Sequence, residues 1–138
     1  MIRVQTVDFN PGDELEQLRN LNNGKAGAMV SFTGLVRDLN EGDNITQLTL
    51  EHYPGMTEKA LAKIEMQANA QWQLTATLII HRVGPLQPND NIVLVVAASM
   101  HRRQAFAACE FMIDTLKTSA PLWKKESLQN SDRWLTPG

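Results

Sequence analysis

The sequence lacks the covalent and membrane features that stabilise or anchor many small proteins. Its 138 residues include one cysteine, Cys109, which excludes an internal disulfide and a four-cysteine zinc site. No apolar run approaches the ~18 residues that a membrane-spanning helix needs, and the opening MIRVQTVDF does not have the pattern of a secretory signal. A chain of this length can bury a sizeable core without such aids, and we expect it in the cytoplasm.

An excess of charge of either sign is also missing. Thirteen Lys and Arg against fifteen Asp and Glu leave a formal net charge of −2, whereas nucleic-acid-binding proteins usually carry a basic excess. The sequence contains neither a Gly-x-x-x-x-Gly-Lys phosphate loop nor a Gly-x-Gly-x-x-Gly turn after a strand. Any site for an anion must therefore be local.

Hydrophobic periodicity predicts one α+β domain over residues 1–138, with no internal repeat and no linker. Apolar spacing of three and four residues predicts helices at 13–22, 56–72 and 100–119, the last with Ser99 as its cap and Pro121 as its end. Alternating or β-branched segments predict strands at 2–7, 27–36, 45–53, 74–83 and 92–99. We expect 74–83 and 92–99 at the centre of a sheet, a loop at 38–44, a turn-rich connection at 84–91, and short strands or an ordered tail at 122–126 and 133–135.

The first turn of the third predicted helix carries three basic residues, His101, Arg102 and Arg103. Cations there oppose the helix dipole, at a cost of a few tenths to about 1 kcal/mol each, while the free N–H groups favour an anion. A phosphate or carboxylate site would explain this arrangement. The alternative is that the side chains are solvated or paired with acidic neighbours.

Lysines cluster at and beyond the other end of that helix, at Lys117, Lys124 and Lys125. Neighbouring, partly desolvated lysines can act as acid, base or nucleophile. A lysine in a last helical turn is otherwise simply favourable for the dipole. Arg102 and Lys117 are fifteen residues apart, or about 22 Å along a helix. If both serve one small-molecule pocket, that pocket takes them from two chains of a homodimer.

The remaining candidates have ordinary structural explanations. Arg37 follows a predicted strand, where a basic residue can be functional or merely solvated. His52 and His81 have no His or Cys at ligand spacing and are expected to be partly buried histidines. Cys109 lies on the apolar side of the third helix and is expected to be a buried, inert thiol.

Five segments in register resemble the catalytic large subunit of molybdopterin synthase, the MoaE family: VSFTGLVRD at 30–38, LEHYPGMTEKAL at 50–61, HRVG at 81–84, MHRRQAF at 100–106 and DTLKTSAPLWKKE at 114–126. The resemblance implies a single-domain α/β-hammerhead-type fold with a mixed or antiparallel sheet and about three helices. It also implies a homodimer that binds two small ubiquitin-like sulfur-carrier subunits to form a heterotetramer. The carrier's C-terminal Gly-Gly thiocarboxylate gives its sulfur to cyclic pyranopterin monophosphate, which forms the dithiolene of molybdopterin.

The resemblance further implies the roles of individual residues. Lys117 and Lys124 match the family's catalytic lysines, and Arg37, His101 and Arg102 match its substrate-anchoring positions. Leu35, Val36, Lys125 and Glu126 flank the pocket. Because the carrier supplies activated sulfur, we expect no resident cofactor, metal or catalytic cysteine. The competing classes are a non-catalytic module that binds an anionic C-terminal tail and a plain structural dimer.

Overall fold

The computed structural model describes residues 1–40, 42–44, 46–120, 122–128 and 132–135, and it describes 39–40, 43–44 and 122–126 through their backbone alone. It contains three helices, α1 (Pro11–Asn22), α2 (Met56–Gln71) and α3 (Arg102–Ser119). The described strands are β1 (Ile2–Gln5), β2 (Ala28–Leu35), β3 (Leu39–Asn40), β4 (Asp43–Asn44), β5 (Gln47–His52), β6 (Leu74–Arg82), β7 (Gly84–Leu86), β8 (Asn91–Ser99), β9 (Leu122–Ser127) and β10 (Asp132–Leu135). Within these residues, no helix is long and apolar enough to cross a membrane.

The larger sheet has the order β1-β6-β8-β2. β1 is parallel to β6, and the other two pairings are antiparallel, so the sheet is mixed as expected. β6 and β8 occupy its centre, which confirms the prediction made from their continuous apolar sequences. Ala28 pairs with Ser99 and Leu35 pairs with Asn91. The start of β2 therefore lies beside the end of β8 at one end of the sheet, and the end of β2 lies beside the start of β8 at the other.

Helices cover both faces of this sheet. α2 and α3 pack on the face that carries Ile79 and Val95, and α1 packs on the face that carries Leu78 and Val96. Because neighbouring strand residues point to opposite faces, the two buried clusters lie on either side of one sheet. α1 begins at Asn10, whose side-chain oxygen accepts a hydrogen bond from the backbone N–H of Asp13 at 3.1 Å.

The helix α3 runs back along β8. It starts three residues after that strand ends, and the Cys109 thiol lies 3.6 Å from the Val95 carbonyl at mid-strand. The 18 residues of α3 extend about 27 Å and the nine of β8 about 30 Å, so the helix spans the length of the strand. Arg102 and Lys117 therefore lie over opposite ends of the sheet.

A second sheet has the order β10-β9-β5-β7. Val36, Leu48, Leu50 and Leu86 form its buried cluster, which joins it to the larger sheet beside Ile92. Its strands β9 and β10 confirm that the terminal segments are strands. Two predictions were wrong here, since 84–91 contains β7 and 38–44 contains the β3–β4 hairpin. These strands are two or three residues long and carry no period that would reveal them.

The start of α3 also differs from the prediction. The helix begins at Arg102 with His101 as its cap residue, and Ser99 does not cap it. The Ser99 hydroxyl instead donates to the Gln73 carbonyl at 2.8 Å, because Ser99 still belongs to β8. Pro121, predicted to end the helix, lies outside the described residues.

Candidate functional site: two basic clusters at opposite ends of one sheet

The first basic cluster surrounds the N-terminus of α3. His101, Arg102 and Arg103 are exposed and line a surface cavity of about 610 Å³. No side chain caps this helix, and its first turn contains no acidic residue. Free backbone N–H groups, the positive end of the dipole and three basic side chains thus face one cavity, which suits a phosphate or carboxylate.

Close packing behind the helix start holds this cavity in place. A Cβ atom at Gly27 would lie 2.2 Å from the Met100 carbonyl oxygen, so only glycine fits there. The Gln104 side chain accepts a hydrogen bond from the Gln73 backbone N–H at 2.7 Å. Sequence reasoning missed Gly27, Gln73 and Gln104 because their contacts join distant segments. The one available signal was a glycine at the first position of the predicted strand 27–36.

The second basic cluster lies at the other end of the sheet and includes Lys117 and Arg37. Lys117 is exposed in the last turn of α3. Arg37 is exposed just beyond β2, where Leu35 is half exposed. Val36 between them is buried, and its backbone bonds to Asp90 and Asn89. These bonds fix the position from which the Arg37 side chain extends.

The strand β9 brings the backbone of Lys124 to this same end. Lys124 pairs with Leu50, and Leu50 pairs on its other side with Gly84, two residues beyond the end of β6. Two strand spacings separate the Cα atoms of Lys124 and Gly84 by about 10 Å. Lys125 and Glu126 follow along β9.

The structure thus divides the predicted site residues into two groups. Arg37, Lys117 and the β9 backbone at Lys124 belong to one end of the larger sheet, and His101 and Arg102 belong to the other. One small substrate cannot span both groups within a single chain. Their roles in binding and catalysis stay predictions.

The other polar candidates do not form a site. His81 is 3% exposed, and its Nδ1 lies 2.8 Å from the Arg82 carbonyl. Within the described residues, no group of three His, Cys, Asp or Glu could hold a metal ion. Cys109 is buried, and burial raises the pKa of its thiol to about 11. A thiol protonated at neutral pH is a poor nucleophile.

The fold and the two basic clusters define a class of small α+β protein whose exposed cations suit an anionic ligand and whose sequence has no phosphate loop. Comparison with known proteins makes the class specific. The family model described as MoaE protein matches residues 4–119, and the chain belongs to this family.

Relatives and solved structures agree over nearly the whole chain. The chain is 54% identical over 134 residues to a molybdopterin synthase catalytic subunit of Ralstonia nicotianae, covering 97% of this chain and 76% of the relative. The MoaE molybdopterin biosynthesis protein of Burkholderia ambifaria matches with a TM-score of 0.86 at 48% identity, covering 99% of this chain and 89% of that one. The crystal structure of molybdopterin synthase from Staphylococcus aureus gives a TM-score of 0.88 at 37% identity, covering 97% and 96% of the two chains. The resemblance and the fold class are confirmed.

Proposed function

We propose that residues 1–138 form one domain that acts as the catalytic large subunit of a molybdopterin synthase. The observation that carries the proposal is the match to such subunits over 97% of the chain. The reaction moves sulfur from the C-terminal thiocarboxylate of a small ubiquitin-like carrier to cyclic pyranopterin monophosphate. We place it in the cytoplasm, the compartment expected from the composition of the sequence.

The separation of the two basic clusters supports a pocket shared by two chains. Arg102 and Lys117 lie about 22 Å apart along α3, too far for one pterin to touch both within a chain. In a homodimer, His101 and Arg102 of one copy complete the cluster around Lys117 of the other. One carrier at each of the two pockets gives a heterotetramer.

Each cluster has a distinct chemical task in this proposal. Arg37, His101 and Arg102 hold the cyclic phosphate through charge-assisted hydrogen bonds. As the thiocarboxylate sulfur attacks the pterin side chain, Lys117 protonates the oxygen that leaves the attacked carbon. The acyl–sulfur bond then breaks, and the carrier's acyl group passes to water directly or by way of a transient amide on Lys117. Lys124 holds the carrier's terminal carboxylate or the phosphate.

The surroundings of the lysines complete the proposed site. Leu35, Val36, Lys125 and Glu126 flank the pocket. Sulfur arrives already activated on the carrier, so the proposed reaction needs no cofactor, metal ion or cysteine from this chain.

A single-turnover assay tests the proposal. Protein, thiocarboxylated carrier and cyclic pyranopterin monophosphate are mixed, and dithiolene formation is followed with time. Lys117→Ala should slow the reaction by about a hundredfold or more, since positioned proton transfer contributes that much. Lys124→Ala should slow it as well, since the carrier's tail or the phosphate is then no longer held in position. Lys63→Ala, on the exposed side of α2, is the matched control and should react at the unaltered rate.

Two results would contradict this function. Near-normal rates in both lysine variants would remove the catalytic assignment. Retention of the carrier's tail without consumption of its thiocarboxylate would show a binding module instead of an enzyme.

A further inference from the structure

A tight turn over residues 87–90 lies between β7 and β8, at the end of the larger sheet where β2 ends. The Asp90 backbone N–H donates to the Gln87 carbonyl at 3.0 Å, which closes the turn. Pro88 is its second residue and Asn89, with a φ of 76°, is its third, the pattern of a type II turn. The Asp90 carboxylate accepts a further hydrogen bond from the Gln87 backbone N–H at 2.8 Å. Gln87 and Asp90 therefore hold the turn closed in both directions.

The residues on either side of the turn belong to different sheets. Leu86 is fully buried and pairs with Leu48 of β5, in the second sheet. Asn91 pairs with Leu35 of β2, in the larger sheet, and its side-chain N–H donates to the Phe9 carbonyl at 3.2 Å. The turn is therefore a bridge between the two sheets that is anchored at both ends.

Val36 is hydrogen-bonded to this bridge through both of its backbone groups. Its N–H donates to the Asp90 carbonyl at 3.0 Å, and its carbonyl accepts from the Asn89 N–H at 2.8 Å. Val36 is buried, and Arg37, the next residue, is exposed. In the part of the chain that the structure describes, the Arg37 side chain makes no ion pair. The turn therefore fixes the backbone from which the guanidinium extends.

The same bridge relates Arg37 to the backbone of Lys124. The strand β5 pairs with β7 along one edge and with β9 along the other, so that Leu50 lies between Gly84 and Lys124. From Gly84 the chain continues through β7 into the turn, and the turn holds Val36. Backbone hydrogen bonds thus connect two of the cations that the proposed function assigns to one pocket.

We propose that Asn89 and Asp90 are positioning residues for Arg37, and that their turn sets the place of the Arg37 guanidinium relative to Lys124. The inference rests on the proposed function, in which Arg37 holds the cyclic phosphate. Asn89 supplies a positive φ, and Asp90 supplies the carboxylate that closes the turn. Both residues act through Arg37 and not on the substrate. Such support matters because a binding group displaced by about 1 Å loses much of its effect.

Two substitutions of Asn89 test the backbone conformation. Asn89→Ala disfavours the positive φ because of its Cβ atom, whereas Asn89→Gly adopts it freely. Binding of cyclic pyranopterin monophosphate is measured by calorimetry without the carrier. Asn89→Ala should weaken binding about five- to tenfold, since a charge-assisted hydrogen bond to the phosphate is lost or lengthened. Asn89→Gly should bind like the unaltered protein, and kcat should stay within about twofold in both variants.

A parallel pair of substitutions tests the hydrogen bond that closes the turn. Asp90→Ala removes the acceptor of the Gln87 N–H, whereas Asp90→Asn keeps an amide oxygen in its place. Asp90→Ala should weaken pterin binding by about the same factor as Asn89→Ala. Asp90→Asn should restore binding to within about twofold of the unaltered protein.

The matched control for a general loss of stability is Asn23→Ala. Asn23 follows α1, is exposed and has a φ of 44°, so alanine strains the backbone there as it does at Asn89. Urea titration should show similar destabilisation in Asn23→Ala and Asn89→Ala. Only Asn89→Ala should bind the pterin more weakly.

A double-variant cycle shows whether the turn acts through Arg37. Once Arg37→Ala has removed the cation, Asn89→Ala should weaken binding no further. Normal binding by Asn89→Ala would overturn the inference. An undiminished further loss in the Arg37→Ala background would also overturn it, because the turn would then act through other residues.

Failure of the proposed function would look different. The unaltered protein would then bind the pterin and form no dithiolene with the thiocarboxylated carrier, while the binding cycle would still decide the role of the turn. Conversely, normal binding by the turn variants beside normal sulfur transfer would overturn this inference and leave the enzyme function intact.

Discussion

Arg102 and Lys117 stand at opposite ends of one unbroken helix, about 22 Å apart along α3. The helix spans β8, so the two residues also mark the two ends of the larger sheet. Arg37 lies at the Lys117 end. The proposed pocket therefore needs Arg37 and Lys117 from one chain and Arg102 from another.

Subunit complementation follows from this division. Lys117→Ala and Arg102→Ala are each expected to be inactive alone. In a mixture with exchanged subunits, half of the dimers are mixed, and each mixed dimer has one pocket with both residues intact. About one quarter of the normal sulfur-transfer activity should return, as measured in the dithiolene assay.

The matched control exchanges Lys117→Ala with Arg37→Ala. Both residues belong to the same pocket of the same chain, so every pocket of a mixed dimer retains one defect. No activity should return. Recovery of activity in this control, or no recovery in the mixture of the Lys117 and Arg102 variants, would contradict this assignment of residues to chains. The two chains would then contribute to each pocket in another combination.

Cys109 should contribute to stability and not to sulfur transfer. Cys109→Ala is expected to leave the transfer rate unchanged, because the thiol is buried between α3 and β8, next to the Val95 carbonyl. The cavity it leaves should lower the free energy of unfolding by about 1–2 kcal/mol in urea titration. A large loss of transfer rate in a folded Cys109→Ala protein would contradict the inert assignment.

The thiol also makes stability depend on pH. Burial raises the pKa of Cys109 from 9.0 to about 11, so folding favours the neutral thiol. This contribution is fully present below pH 9 and is lost as the pH rises through about 11. Relative to Cys109→Ala, the unaltered protein should lose roughly 2 kcal/mol of unfolding free energy over that range. If the unfolding free energies of the two proteins change with pH in the same way, Cys109 makes no such contribution.

Arg82 is expected to be a structural cation at the end of the sheet that carries Arg37. It is 9% exposed and donates to the carbonyls of Asn91 and Thr6, both at 3.1 Å, with the Asp8 carboxylate at 3.6 Å. Arg82→Met would remove the donor from these partly buried carbonyls. We expect about 2–4 kcal/mol of lost stability by urea denaturation. Exposed Lys63→Met is the control, and an equally small effect in both would contradict this role.

Gly27 should control the position of the helix that carries Arg102. In Gly27→Ala the new methyl group would lie 2.2 Å from the Met100 carbonyl, so the start of α3 must move. We expect KM for the pterin to rise about tenfold with a smaller change in kcat, because binding groups are displaced. Gly12→Ala, where the nearest atom is a side-chain oxygen 3.3 Å away, should leave both constants unchanged.

The helices and central strands could be predicted because their signals are local. Ala105, Cys109, Met112 and Leu116 repeat every three or four residues, which marks one buried face of α3 wherever the helix packs. The short strand β7 carried no such repeat. Gly84 and Pro85 resemble a turn, and only pairing with β5 makes them a strand.

The residues of the candidate site could be predicted from the sequence, but the contacts that hold them in position could not. The basic first turn of α3 is visible in the sequence because it conflicts with the helix dipole. The Ser99 hydroxyl was misassigned as a cap because its partner, Gln73, lies 26 residues away. Contacts between distant segments leave no local pattern.

The sequence by itself determined the α+β class, the course of α3 and the basic residues at its two ends, since periodicity and helix-end chemistry act within a few residues. The tertiary structure alone decided that Arg37 lies at the Lys117 end and that β2 is the outermost of the described strands on its side of the larger sheet. Strand order and register depend on pairing between residues far apart in the chain, which is set by the burial of the whole sheet.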